Sequence, residues 1–128
     1  MKKSSGKFPS IILHDSMKNP QFRMSTNIAI HSKKWRDSSE FYEHVMGLAV
    51  KENETHLEVQ NGPIFMYIQE NPGVDCVVME YYVDDVETPR EYLESNGCKV
   101  IKWEGKEKDC YMRDPYGLTF NLCVEKQD

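Results

Sequence analysis

The chain carries the same order of elements twice, and that repetition limits its fold more than any single motif. An extended run over residues 26–31 is followed by a helix signal. Asp37 or Ser38 can serve as N-cap, Phe41, Tyr42, Val45 and Met46 share a face, and Gly47 falls just past the end. Three short strands are predicted next, over 48–52, 56–60 and 64–69, separated by Asn53-Glu54 and Asn61-Gly62-Pro63. The order then returns. Residues 76–83 read as a strand, and Thr88-Pro89-Arg90-Glu91 reads as a capping box with Pro at the first helical position. Tyr92 and Leu93 supply the apolar face, and Gly97 ends the helix. Strands over 99–103, 109–113 and 118–124 complete the second copy. Gly47 and Gly97 lie 50 positions apart, Gly62 and Gly117 55 apart. The expectation is one domain over 25–128, built from two βαβββ modules, 25–71 and 74–125, joined at Asn71-Pro72-Gly73. Residues 1–24 lie outside the repeat and read as a partly disordered N-terminal arm, in which 9–14 could add an edge strand.

Composition narrows the function classes. A chain of 128 residues with 39% hydrophobic side chains buries roughly two thirds of its unfolded surface and needs no staples. The net charge of −5, with no Lys/Arg stripe, argues against a nucleic-acid partner. No apolar run approaches the roughly 18 residues of a membrane span. Lys2 and Lys3 precede an apolar run, Ile11-Ile12-Leu13, too short for a secretory leader, so the cytoplasm is the expected location. Cys76, Cys98, Cys110 and Cys123 form no C-x-x-C pair and are expected to be small apolar groups. A Gly-rich phosphate loop, a nucleophile elbow and an H-E-x-x-H pattern are all missing, which sets aside kinases, hydrolases and zinc proteases.

Asp114-Pro115-Tyr116-Gly117 is a tight-turn sequence, and the following Leu118-Thr119-Phe120-Asn121-Leu122 alternates as a strand should. This segment resembles the last hairpin of the vicinal oxygen chelate superfamily, which includes glyoxalase I, extradiol dioxygenases and bleomycin-resistance proteins. Asn27-Ile28-Ala29-Ile30, running through Phe41-Tyr42 to Gly47-Leu48, is similar to the opening of that family's first module. Val83-Asp84-Asp85-Val86 is similar to the strand-to-helix junction of its second. The resemblance spans roughly residues 25–125. It implies an α+β fold in which paired βαβββ modules form an open, cup-shaped mixed sheet with helices outside. It also implies four inner-face positions where metal-dependent members place His, Glu or Gln. Here these carry Asn27, Met66, Val78 and Asn121. Two amides, a thioether and a valine lack the strong donors that a transition ion requires, so no metal and no other cofactor is expected, and a divalent ion is disfavoured.

Strand alternation places Ile28, Ile30, Phe65, Tyr67, Met79, Tyr81, Val83, Phe120 and Leu122 opposite those four positions, as a helix-packed face. The cup face then holds Asn27 and His31, Met66, Val78, Glu80 and Tyr82, and Asn121, too polar for a sealed core and suited to a wet cavity. Tyr82, Trp103 and Tyr111 could present flat faces to a ligand. His14, His44 and His56 are given no role, Trp35 is expected over the first helix's N-terminal end, and Lys106-Glu107-Lys108 is a solvated turn. The leading expectation is a bleomycin-resistance-like protein holding a small molecule without the family's usual metal, as a homodimer. Two alternatives stand beside it. One is a metal-dependent lyase, isomerase or dioxygenase with displaced ligands such as His31 and Glu80. The other is a metal-free acid–base enzyme using Glu80 or His31.

Overall fold

The computed structural model describes residues 20–125. The predicted edge strand over 9–14 and most of the N-terminal arm fall outside that range. The elements are β1 (Arg23–His31), α1 (Ser38–Glu40) continuing into a π-helical stretch (Phe41–Val45), β2 (Ala49–Glu52), β3 (Leu57–Asn61) and β4 (Ile64–Gln69). The second module repeats the order as β5 (Val77–Val83), α2 (Glu87–Ser95), β6 (Lys99–Trp103), β7 (Cys110–Arg113) and β8 (Thr119–Val124). The first strand begins at Arg23, two residues ahead of the expected module boundary.

All eight strands form one mixed sheet in the order β2-β3-β4-β1-β5-β8-β7-β6. Within each module the first strand runs parallel to the last, β1 beside β4 and β5 beside β8. The modules meet where β1 and β5 pair antiparallel. The order on one side of this seam therefore repeats on the other. Asn71-Pro72-Gly73 connects the modules, and Lys102 of β6 clasps this connector, donating to Asn71 Oδ1 at 2.7 Å and to the Pro72 carbonyl at 3.0 Å.

Each module has its own apolar core on the helix side of the sheet. In the first, Leu57, Val59 and Ile68 are buried, with Ile30, Trp35, Tyr42, Val50 and Met66 packed against them. In the second, Val83, Val86, Cys98, Cys110, Met112, Phe120 and Leu122 are buried beneath α2. The four cysteines are free, as expected of small apolar groups. No helix among the described residues is long and apolar enough to cross a membrane.

The helices differ from expectation in instructive ways. After Glu40 the backbone takes i→i+5 bonding, with the Met46 N–H donating to the Phe41 carbonyl at 3.1 Å. The wider turn rotates successive side chains by less than the α-helical angle. Of the four residues expected to share a buried face, Tyr42 reaches the core, while Phe41, Val45 and Met46 are exposed. The second helix begins earlier than the capping box suggests. Asp85 Oδ1 accepts the Thr88 N–H at 2.9 Å, so an aspartate ahead of the helix does the capping, and Pro89 sits inside the first turn, where its missing N–H costs nothing. At the other end, Cys98 N–H bonds to the Leu93 carbonyl and Gly97 N–H to that of Glu94, the pairing of a Schellman motif. Gly97 takes φ +100°, and a Cβ there would lie 3.1 Å from Pro115 Cγ, so this position favours glycine twice over.

Candidate functional site

The face of the sheet away from the helices is concave. Strand pairing shows which side chains share it: Ala29 lies opposite Val78 across the seam and beside Tyr67 of β4. Glu80 neighbours Asn121, and Asn121 neighbours Tyr111. These residues line a cavity of about 270 Å³ at the junction of the modules. Asn27, Ala29, His56, Tyr67 and Gln69 come from the first module, and Val78, Glu80, Asp109, Tyr111 and Asn121 from the second. An adjoining hollow of about 430 Å³ shares Asn27, Tyr67, Glu80 and Asp109 and adds Tyr82, Cys123 and Glu125.

The expected site residues divide. Asn27, Val78, Glu80, Tyr111 and Asn121 meet in the cavity, and Tyr82 lines the neighbouring hollow. Met66 does not join them. In β4 the register pairs Met66 with Val59 and Tyr67 with Glu58, so Met66 packs into the first core and Tyr67 takes the cup position. Phe65 and Tyr67, placed on the helix side from sequence, therefore belong to the cup face. The strand reads Ile64-Phe65-Met66-Tyr67-Ile68, apolar on both parities, so alternation alone could not choose its face. Trp103 is also on the other side. It packs against the second core under the Arg90 guanidinium, 4.1 Å from the ring centroid, where its stem shields the helix-side apolar cluster.

His31 is on the cup face, paired with Gln69 of β4, but does not line the cavity. Its side chain is buried, at 3% exposure, with the Tyr111 ring 5.8 Å away edge-on. The Val74 carbonyl can only accept, so the 3.0 Å contact puts the proton on Nδ1 and leaves Nε2 as a lone pair with no partner among the described residues. Burial lowers its pKa foremost and Lys102 lowers it further, against the raising effects of the Val74 bond and Asp75. The unfolded chain therefore takes up a proton at a higher pH than the folded one. Stability from neutral His31 is complete above the unfolded value of about 6.5 and is lost as pH falls toward the lower folded value. A His31→Asn variant, which retains a donor for Val74, is expected to flatten the fall in unfolding free energy below pH 6.5 in urea titrations. An unchanged slope would assign that pH dependence to other groups.

Besides Tyr67, three residues in the cavity were missed from sequence. His56 lies on the cup face of the β3 strand path, hydrogen-bonded to Glu58 at 3.0 Å, and that bond holds the Glu58 carboxyl below its usual range. The alternation of His56 and Glu58 with buried Leu57 and Val59 was the available signal. Asp109 and Gln69 sit at strand ends, two residues from Tyr111 and Tyr67 respectively and on the same parity.

The β1–β5 ladder shifts register between Met24 and Ile28. Such a bulge re-aims side chains, and here it turns Ser25 and Asn27 toward Glu80. Ser25 Oγ donates to Glu80 Oε1 at 2.8 Å and Asn27 Nδ2 to the same oxygen at 2.9 Å. The Asn27 N–H in turn donates to Ser25 Oγ at 2.8 Å. Across the cup, Asn121 Nδ2 donates to Asp109 Oδ2 at 3.1 Å. Burial raises the phenols of Tyr67, Tyr82 and Tyr111, and nearby carboxylates add to it; Tyr111 is pushed up to about 12, with Asp109 and Glu80 contributing after burial. Cys123 is raised by burial and then by Glu80, so it stays a thiol and is no nucleophile near neutral pH. Among the described residues no three His, Cys, Asp or Glu side chains are grouped to hold a metal ion.

No family model matches the sequence, and no curated protein matches it. Solved structures do match by shape. A hypothetical protein from Bacillus halodurans C-125 superposes with TM-score 0.60 at 12% identity, covering 84% of this chain and 97% of that one. A glyoxalase/bleomycin resistance protein/dioxygenase superfamily member from Vibrio splendidus 12B01 gives TM-score 0.53 at 15% identity, covering 84% and 100%. A variant of homoprotocatechuate 2,3-dioxygenase from B. fuscum, in complex with HPCA, gives 0.54 at 16% identity, covering 85% of this chain and 34% of that one.

Proposed function

We propose that this protein, whose α+β fold is of the vicinal oxygen chelate type, binds a small molecule in the cup between its modules without the metal that many proteins of that shape use. The observation that carries this reading is the lining itself. A concave cavity of about 270 Å³, its wall mixing apolar surface with polar side chains, stands where the two modules meet, and side chains of both contribute to it. The inner-face positions that would ligate a metal hold Asn27, Tyr67, Val78 and Asn121. Valine has no lone pair, and an amide carbonyl is a neutral donor. This set does not fit iron, manganese, nickel or zinc.

Binding is favoured over catalysis by how the polar groups are arranged. Glu80 Oε1 accepts two hydrogen bonds, an arrangement that fixes an acceptor in place. His31 is buried against Tyr111, Cys123 is held as a thiol, and the imidazole that does line the cavity, His56, is hydrogen-bonded to Glu58. Assembly as a homodimer belongs to the same reading by resemblance in shape, and sedimentation equilibrium measures it directly.

Protein purified without chelator and dialysed is expected to carry well under one equivalent of Fe, Mn, Ni or Zn by elemental analysis. Small molecules that occupy the cup should raise the unfolding free energy by about 2.7 kcal/mol at a hundredfold excess over their dissociation constant. A stoichiometric transition metal that survives dialysis would overturn the reading.

A further inference from the structure

The chemistry of the cup narrows the ligand further, and this step rests on the small-molecule reading above. Three donors that reach the cup are engaged, whereas Asn121 Oδ1 is an acceptor left over. Ser25 and Asn27 donate to Glu80, and Asn121 Nδ2 donates to Asp109. That last bond fixes the amide orientation, because the flipped rotamer would set oxygen against a carboxylate. Asn121 is 6% exposed and lines the cavity, and its Oδ1 has no hydrogen-bond partner among the described residues. A buried acceptor of this kind calls for a donor.

Charge points the same way. Glu80 and Asp109 form no ion pair with a side chain among the described residues. Lys102, on the second module's edge, is held by Asn71 and Pro72, and His56 is held by Glu58. The phenols feel the resulting negative field, since both carboxylates help raise Tyr111. Tyr67 and Tyr111, from opposite modules, add ring surface that can face a cation.

We propose that the cup selects a cation that carries N–H groups, a primary ammonium or a guanidinium, with its charge between Glu80 and Asp109 and one N–H on Asn121 Oδ1. A quaternary ammonium has the charge but no donor, and a neutral alcohol has a donor but no charge. Each satisfies half of the site.

The test compares four probes of similar size on the full-length protein by calorimetry at pH 7: benzylammonium, benzyltrimethylammonium, benzyl alcohol and benzoate. Benzylammonium is expected to bind roughly 10-fold more tightly than either the alcohol or the quaternary analogue, and benzoate most weakly. Glu80→Gln and Asp109→Asn, both near-isosteric, are each expected to weaken benzylammonium by roughly 10-fold and to leave benzyl alcohol unchanged. Circular dichroism confirms that the variants are folded. Benzyl alcohol or benzoate binding as tightly as benzylammonium overturns the inference while leaving the small-molecule cup intact. So does a quaternary analogue that binds equally, or an affinity unmoved in both variants, or calcium chloride displacing benzylammonium one for one. Failure of all four probes to bind overturns the cup reading together with this one.

Discussion

Leu122→Ala is expected to cost about 3 kcal/mol of unfolding free energy, a large share of the roughly 5–15 kcal/mol available to a domain of this size. Leu122 sits in β8 with 0% exposure, beside Cys110 on β7 and Tyr81 on β5 and within the core that α2 covers. Truncation removes the transfer free energy of the lost carbons and leaves a cavity that a sheet hydrogen-bonded on both sides closes only in part. Val124→Ala, two residues along the same strand face but 48% exposed, should cost under about 0.5 kcal/mol. Urea titration of the pair measures the contrast. A loss below about 1 kcal/mol at Leu122 would show that this face is not the core.

Ala29→Trp is expected to lower the affinity for any cup ligand by at least about 100-fold while leaving the fold in place. Ala29 is the small residue on the cup face between Asn27 and His31, opposite Val78 and beside Tyr67. An indole grown from that point enters a cavity of about 270 Å³ and takes the room that a ligand would use. It meets open space more than packed side chains, so the strain that accompanies overpacking of a filled core is largely avoided. Titration with benzylammonium, alongside a thermal melt, separates loss of binding from loss of structure. Unchanged affinity in a folded variant would move the ligand elsewhere, for example to the hollow between Asp84, Glu87 and Lys106.

The fold was legible because turn residues and alternation reinforce each other over two copies. Gly47, Gly97 and Gly117 take positive φ at the ends of the elements they were expected to close, and seven of the expected strands reappear within about one residue at each end. The first is the exception, extended to Arg23 because Met24 and Tyr81 pair beyond the bulge. What the sequence concealed depends on interactions between elements. In β4 both parities are apolar, and only pairing with Leu57 and Val59 of β3 decides that Met66 and Ile68 turn toward the helix. The widened turn after Glu40 has no signature in residue type, yet it decides that Tyr42, and not Phe41, packs against the core.

The site was half legible for a related reason. The resemblance placed Asn27, Val78 and Asn121, and parity, on strands whose opposite faces are plainly apolar, agreed with it and added Glu80. Asp109 and His56 open the strands expected over 109–113 and 56–60, and a polar residue at a strand's end reads as solvated turn, so neither is given a role from sequence. Trp103 shows the opposite failure. Its ring suits a ligand pocket, but its pairing with Cys110 puts it on the buried side, where Arg90 covers it.

The antiparallel seam between β1 and β5 makes the wall of the cup one continuous backbone ladder, interrupted only at the bulge near Asn27. Proteins that capture ligands by swinging two lobes together need a hinge between them, and here that hinge would have to break main-chain bonds at the centre of the sheet. On the proposed function, a guest would therefore exchange through the open mouth of the cup, with the two modules staying joined.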